Sequence, residues 1–193
     1  MAAARKYAKK FSDPEYVDAI RLFIKEEQKH GNNLGMYLDS IGEKRIRRNW
    51  GDSLFRWTRH LFTSMELWTL TVITVETTAQ VYYQAVKNAS NCPLLQQVCT
   101  DILIDEAAHI RFQMERMTHI FSFRNPITQI WLIKGYRLFY FLVITIVWTT
   151  HRTAFTAGGY PWHRYLKVMK HRFAKTLNTL VTHGNPGSSA CSL

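Results

Sequence analysis

The chain is short of what builds disulfide-stapled, β-rich or membrane-spanning proteins. Three cysteines in 193 residues cannot form a disulfide framework. Cys92 and Cys99 lie in one helical pattern and Cys191 in a polar tail; the number is odd, and the spacing suits no zinc knuckle. A reduced, cytoplasmic setting is the expectation. Nine Gly and five Pro, gathered at candidate helix ends, are too few for a turn-rich sandwich. The longest uncharged apolar stretch, Leu138 to Thr150, is 13 residues long, whereas a membrane span needs roughly 20. Lys134 and Arg137 bound it on one side, His151 and Arg152 on the other. It reads as a buried or interfacial helix, with a spanning helix as the less favoured alternative, so peripheral membrane contact stays open. Acids are scarce, 14 against 25 Lys and Arg, for a net charge of +11. That excess permits a nucleic-acid or anionic-membrane partner, but no recognition-helix or RNA-module pattern supports nucleic acid. The start, Met1 to Lys10, has no apolar run behind it and does not read as a secretory signal. There is no Gly-rich phosphate loop, no Ser nucleophile elbow and no repeat at solenoid spacing.

What is present is helical pattern. With 47% hydrophobic and 20% charged residues, a sizeable core can form. The expected fold class is all-α: a helical bundle with a long crossover, followed by a hydrophobic and a basic helix. The expected division is a basic N-terminal segment over 1–11, the bundle domain over 12–124, helices packed on it over 125–183, and a disordered tail over 184–193. Ser12, Pro14 and Glu15 open the first helix as a capping box, and Gly42 closes it. Its apolar stripe is Val17, Ile20, Phe23, Ile24, Leu34, Leu38 and Ile41. A basic connector, Glu43 to Thr63, contains a short helix capped by Asp52 or Ser53. The second long helix runs from near Ser64 to near Asn91, although Thr69 to Tyr83 is strand-like by propensity. Its length without Gly or Pro decides for helix. Pro93 opens a third helix, and Asn125-Pro126 a fourth that continues to Thr156. Gly158-Gly159 ends that helix, and Pro161 starts a fifth, basic amphipathic one.

Two copies of E-x-x-H carry the chemistry: Glu27 with His30, and Glu106 with His109. In each, the two side chains share one helix face and project from the apolar stripe expected to meet the core. Eight Glu and eight His in this length would give about 0.3 such matches by chance. Glu76 is a third acid expected in the core, flanked by Val72, Ile73, Ala79 and Tyr83 at helical spacing. Buried carboxylates need a cation or hydrogen-bond partners, because leaving them alone costs several kcal/mol. Two explanations are open: a metal site, or a polar layer of ion pairs without metal. The other histidines, His60, His119, His151, His163, His171 and His183, lack ligand spacing. The arginines at 45–48 read as a solvated face.

At these residues, over Asp13 to Phe121, the chain resembles the ferritin-like superfamily of carboxylate-bridged di-iron proteins. The order matches: E-x-x-H, a crossover, a lone Glu, then E-x-x-H. The resemblance implies that Glu27 and Glu106 bridge or chelate two Fe ions, Mn being the alternative. It implies that His30 and His109 each cap one ion and that Glu76 is terminal. It further implies supporting roles for Glu26 and Asp105, which precede the ligand glutamates and would orient the opposite histidines, Asp105 toward His30. Gln80 and Tyr83, beyond Glu76, would line the site; a core Tyr is otherwise packing. The implied activity is O2 activation to oxidise an unknown substrate. The alternatives are iron binding or ferroxidase function, or a non-enzymatic membrane-peripheral bundle. The family's first helix supplies a lone Glu that has no counterpart before residue 27. Such a ligand is therefore expected upstream of Met1 or from a partner subunit completing the bundle, unless it has been lost.

Overall fold

The computed structural model describes residues 14–45 and 64–184. The N-terminal segment, the Ser12 cap, most of the connector with its expected short helix, and the tail lie outside the described residues. Among the described residues there are six helices and no strand, so the fold is all-α. In chain order they are α1 (Pro14–Ser40), α2 (Met65–Ala89), α3 (Pro93–Ser122), α4 (Pro126–Thr150), α5 (Arg152–Ala157) and α6 (Trp162–Gly184). They fall into two compact units, Met1–Trp68 and Thr69–Leu193, the boundary lying in the first turn of α2.

In the first unit, α1 ends as its sequence predicts. Gly42 takes the left-handed conformation at φ 74°. The Glu43 N–H bonds the Leu38 carbonyl at 2.9 Å and the Gly42 N–H bonds that of Asp39 at 3.2 Å. This is a Schellman motif, which satisfies carbonyls the helix end leaves open. Arg45 donates to Asp39 through Nε at 3.0 Å and also through Nη2. That guanidinium holds the Asp39 carboxyl below its usual range. Tyr16, Ile20, His30 and Gly35 are the buried positions of α1.

The second unit has one core, built from α2, α3, α4, α5 and α6. The Ser64 hydroxyl accepts from the Leu67 N–H at 3.3 Å and caps α2. The Val- and Thr-rich run is helical despite its propensity, and two details explain why. Buried Thr74 and Thr78 return their hydroxyls to the carbonyls of Leu70 and Thr74, at 2.8 and 2.7 Å, so neither hydroxyl is left unpaired inside. Residues 69–78 are also covered on nearly every face, and such burial outweighs a weak local preference. Pro93 and Pro126 occupy first-turn positions of α3 and α4, and the Asn125 side chain accepts from the Thr128 N–H at 2.8 Å.

The fourth helix stops earlier than Thr156. It breaks at His151, whose φ −111° and ψ 24° leave the helical region, and α5 follows as a separate turn and a half. Thr149 and Thr150 direct hydroxyls to the carbonyls of Thr145 and Ile146, at 3.0 and 2.8 Å, a back-bonding pattern that bends helices. The return helix α6 locks onto α4 through two buried tyrosines. Tyr140 donates to the Met169 carbonyl at 3.0 Å, and Tyr165 to that of Ile144 at 3.1 Å. By length and composition α4 could cross a membrane, and only 17% of its most apolar window is buried, unlike the core helix of a soluble domain. That exposure goes against the expectation of a buried helix.

Two stability predictions follow from the α5 corner. A Cβ on Gly158 would stand 2.1 Å from the Ala85 carbonyl oxygen, whereas one on Gly159 would meet only the end of the Arg164 side chain, at 3.4 Å, but with φ 84°. Gly158→Ala should therefore cost about 2–4 kcal/mol and Gly159→Ala only about 1 kcal/mol, read by chemical denaturation. Burial also depresses the pKa of His151, which packs edge-on against Tyr82 at 5.1 Å. The unfolded chain then takes up this proton at higher pH than the folded one, so stability is retained above about pH 6.5 and falls as pH drops below it. His151→Gln should flatten the decline in urea midpoint between pH 7 and pH 5.

Candidate metal centre

Two helices of the second unit build the centre. The buried face of α3 runs Cys99, Ile102, Glu106, His109, Gln113, Met117 and Ile120, at spacings of three and four. That period keeps these side chains on one stripe. Glu76 lies midway along α2, between buried turns that begin at Val72 and Ile73 and continue to Val81. Its carboxylate is carried inward because α2 is covered nearly all round.

The geometry converges on one imidazole. His109 Nδ1 lies 3.7 Å from Glu106 Oε2 on its own helix and 3.9 Å from Glu76 Oε2 on the neighbouring one. Glu76, Glu106 and His109 are all buried, and each offers a ligand atom within 4.8 Å of the others'. Donors on opposite sides of one ion, with bonds of about 2.1 Å, stand about 4.2 Å apart, so this spread needs only small side-chain adjustments to fit a cation. Two carboxylates held together in a low-dielectric core repel each other, and a metal ion offsets both at once. The donors are oxygen and imidazole nitrogen. Burial raises the pKa of the Cys99 thiol, which keeps it protonated and outside such a ligand set.

The remaining sequence-predicted residues fall into place unevenly. In the first unit, His30 is buried and its Nδ1 lies 3.5 Å from Glu27 Oε1. The Glu27 side chain, however, stays 42% exposed. The expectation that both members of this pair are buried thus holds for His30 and fails for Glu27. The periodicity gave the direction correctly, but direction on a helix does not fix depth. Glu26 and Asp105 are half-buried. The side-chain carbonyl oxygen of Gln80 accepts from the Arg172 guanidinium of α6. Tyr83 packs edge-on against Tyr82 at 5.4 Å.

Sequence reasoning missed Gln113. It is fully buried, and neither its amide nitrogen nor its carbonyl oxygen has a hydrogen-bond partner among the described residues. Burying an amide in that state costs about 1–3 kcal/mol per group. The signal was present in its register, four residues after His109 and seven after Glu106. Glu66 is also buried; it sits in the first turn of α2, where a carboxylate faces the positive end of the helix dipole.

Comparison with family models, with curated proteins and with solved structures gives no match to this chain.

Proposed function

We propose that this chain is a ferritin-like, non-haem metal oxidoreductase that binds two iron ions, or manganese in their place, and activates O2 to oxidise a substrate. The observation that carries this reading is the buried convergence of Glu76, Glu106 and His109 within 4.8 Å. A structural ion-pair layer would more economically pair an acid with Lys or Arg; here two acids surround one imidazole. Glu76 and Glu106 would neutralise the ions and His109 would supply a neutral nitrogen. Glu27 and His30 enter as the second ligand pair through the repeated E-x-x-H and the resemblance it carries. Asp105 and Glu26 would orient the histidines. A redox-active ion bound by these residues would supply the electrons for reducing O2. The surrounding Val72, Ile73 and Ile102 exclude bulk water and keep the carboxylates oriented.

Anaerobic Fe(II) titration tests the reading. The full chain should bind up to two ions, and Glu106→Ala should weaken binding at least tenfold; equal binding by the two proteins would sink it. Oxygen uptake by the iron-loaded protein should fall in parallel.

The placement of α4 favours a second element of function, contact with an anionic membrane surface. Ile127, Trp131, Leu138 and Leu142 form an exposed apolar row at helical spacing, Leu138 being 75% exposed. Lys134 lies over the Trp131 ring at 5.1 Å. Helix α6 presents Lys167, Lys170 and Lys175 to solvent and contains no acid. Aromatic and apolar side chains beside lysines suit the headgroup boundary. Flotation with vesicles containing phosphatidylserine should recover the protein, and Trp131→Glu with Leu138→Glu should cut recovery about tenfold. Recovery unaffected by the double substitution would overturn this assignment.

A further inference from the structure

The proposed metal centre leaves one buried polar group of α3 unused. Gln113 is wholly inaccessible to solvent, and both ends of its amide lack partners among the described residues. Either orientation of the amide therefore presents an unsatisfied oxygen. A core position occupied only for packing would favour Leu or Met, which fill similar volume without polar atoms. The register supplies the direction. Four residues of helix rise about 6 Å, and helical side chains lean toward the N-terminus, so Gln113 leans back over the turn that carries His109. Glu106, His109 and Gln113 thus form three successive steps of one buried stripe that is otherwise apolar from Cys99 to Ile120.

We propose that Gln113 belongs to the metal centre, its side-chain carbonyl supplying a neutral oxygen donor to the bound cation. The assignment rests on the metal-binding reading above and extends it by one residue. It explains why two acids and one imidazole, a set with few donors for a hard or borderline cation, are accompanied by an amide with no other task. It also explains the choice of amide over carboxylate: a third acid beside Glu76 and Glu106 would add repulsion whenever the metal is absent.

The test compares the full chain with Gln113→Leu, Gln113→Glu and Glu106→Ala. It measures Mn(II) and anaerobic Fe(II) affinity by equilibrium dialysis, and the melting temperature of the metal-free proteins. Gln113→Leu should weaken metal binding about 10–100-fold. The same change should raise the metal-free melting temperature by about 2–6 °C, because an unsatisfied buried amide is removed. Gln113→Glu retains an oxygen donor; it should bind metal at least as tightly as the unaltered chain while melting lower without metal. If Gln113→Leu binds like the unaltered chain while Glu106→Ala does not, the role of Gln113 is overturned and the metal centre stands. If Gln113→Leu melts lower without metal, the amide is a structural hydrogen-bonding group and the proposal also falls. If the unaltered chain and Glu106→Ala bind alike, the metal centre itself fails, and Gln113 with it.

Discussion

Two carboxylates and one imidazole occupy a space that hydrocarbon would otherwise fill, and the second unit is organised around that constraint. Keeping Glu76 and Glu106 beside His109 requires rigid neighbours, since like charges separate wherever the packing lets them. Rigidity comes from the helices that flank them. Helix α2 is buried along most of its circumference, and α3 commits an unbroken stripe of nine buried residues to the interior. The aromatic cluster of Tyr136, Tyr140, Phe141 and Phe173, with centroids 4.9–5.8 Å apart, ties α4 to α6 within the same core. The buried hydroxyls of Tyr140 and Tyr165 meet backbone carbonyls and that of Tyr136 pairs with the Thr74 hydroxyl, so the polar tips add direction without leaving unpaired groups.

Much of the fold was legible wherever a local rule has one dominant cause. Proline at the first turn marked α3 and α4, Ser64 marked the start of α2, and Gly42 marked the end of α1. Each of these acts on backbone hydrogen bonds within a few residues, so neighbours in sequence suffice. The E-x-x-H of α3 was legible for the same reason, since its spacing and its apolar flanks lie on one helix. The break at His151 was not visible, because no glycine or proline marks it; threonine hydroxyls do, and threonine is equally at home elsewhere. The pairing of Gln80 with Arg172 spans 92 positions and depends on how α6 returns. The exposure of Glu27 depends on what covers α1, which the stripe of a single helix does not contain. Gln113 sat on a visible stripe but carries no charge, and so drew no notice in a search for acids and histidines.

Charge is segregated by depth in this chain. The overall +11 describes its surface: α6 exposes Lys167, Lys170 and Lys175, α4 carries Lys134 and Arg137, and no acid occurs in either helix. The acids that count lie inside, at Glu66, Glu76 and Glu106. A whole-chain sum therefore mixes two populations that experience different dielectrics. The surface charges are screened within about 10 Å at ordinary salt, whereas the interior ones interact at nearly full strength.

The helical state of α2 has a consequence for the chain before it folds. Residues 69–75, Thr-Leu-Thr-Val-Ile-Thr-Val, are uncharged, β-branched at six of seven positions, Leu70 being the exception, and free of proline. In the native protein, burial and back-bonded threonines hold this run as helix. In a nascent or partly unfolded chain neither is in place, and the same seven residues form an extended segment suited to pairing with its copies. The helix that carries Glu76 into the core is thus also the stretch whose exposure the folding pathway has most reason to keep brief.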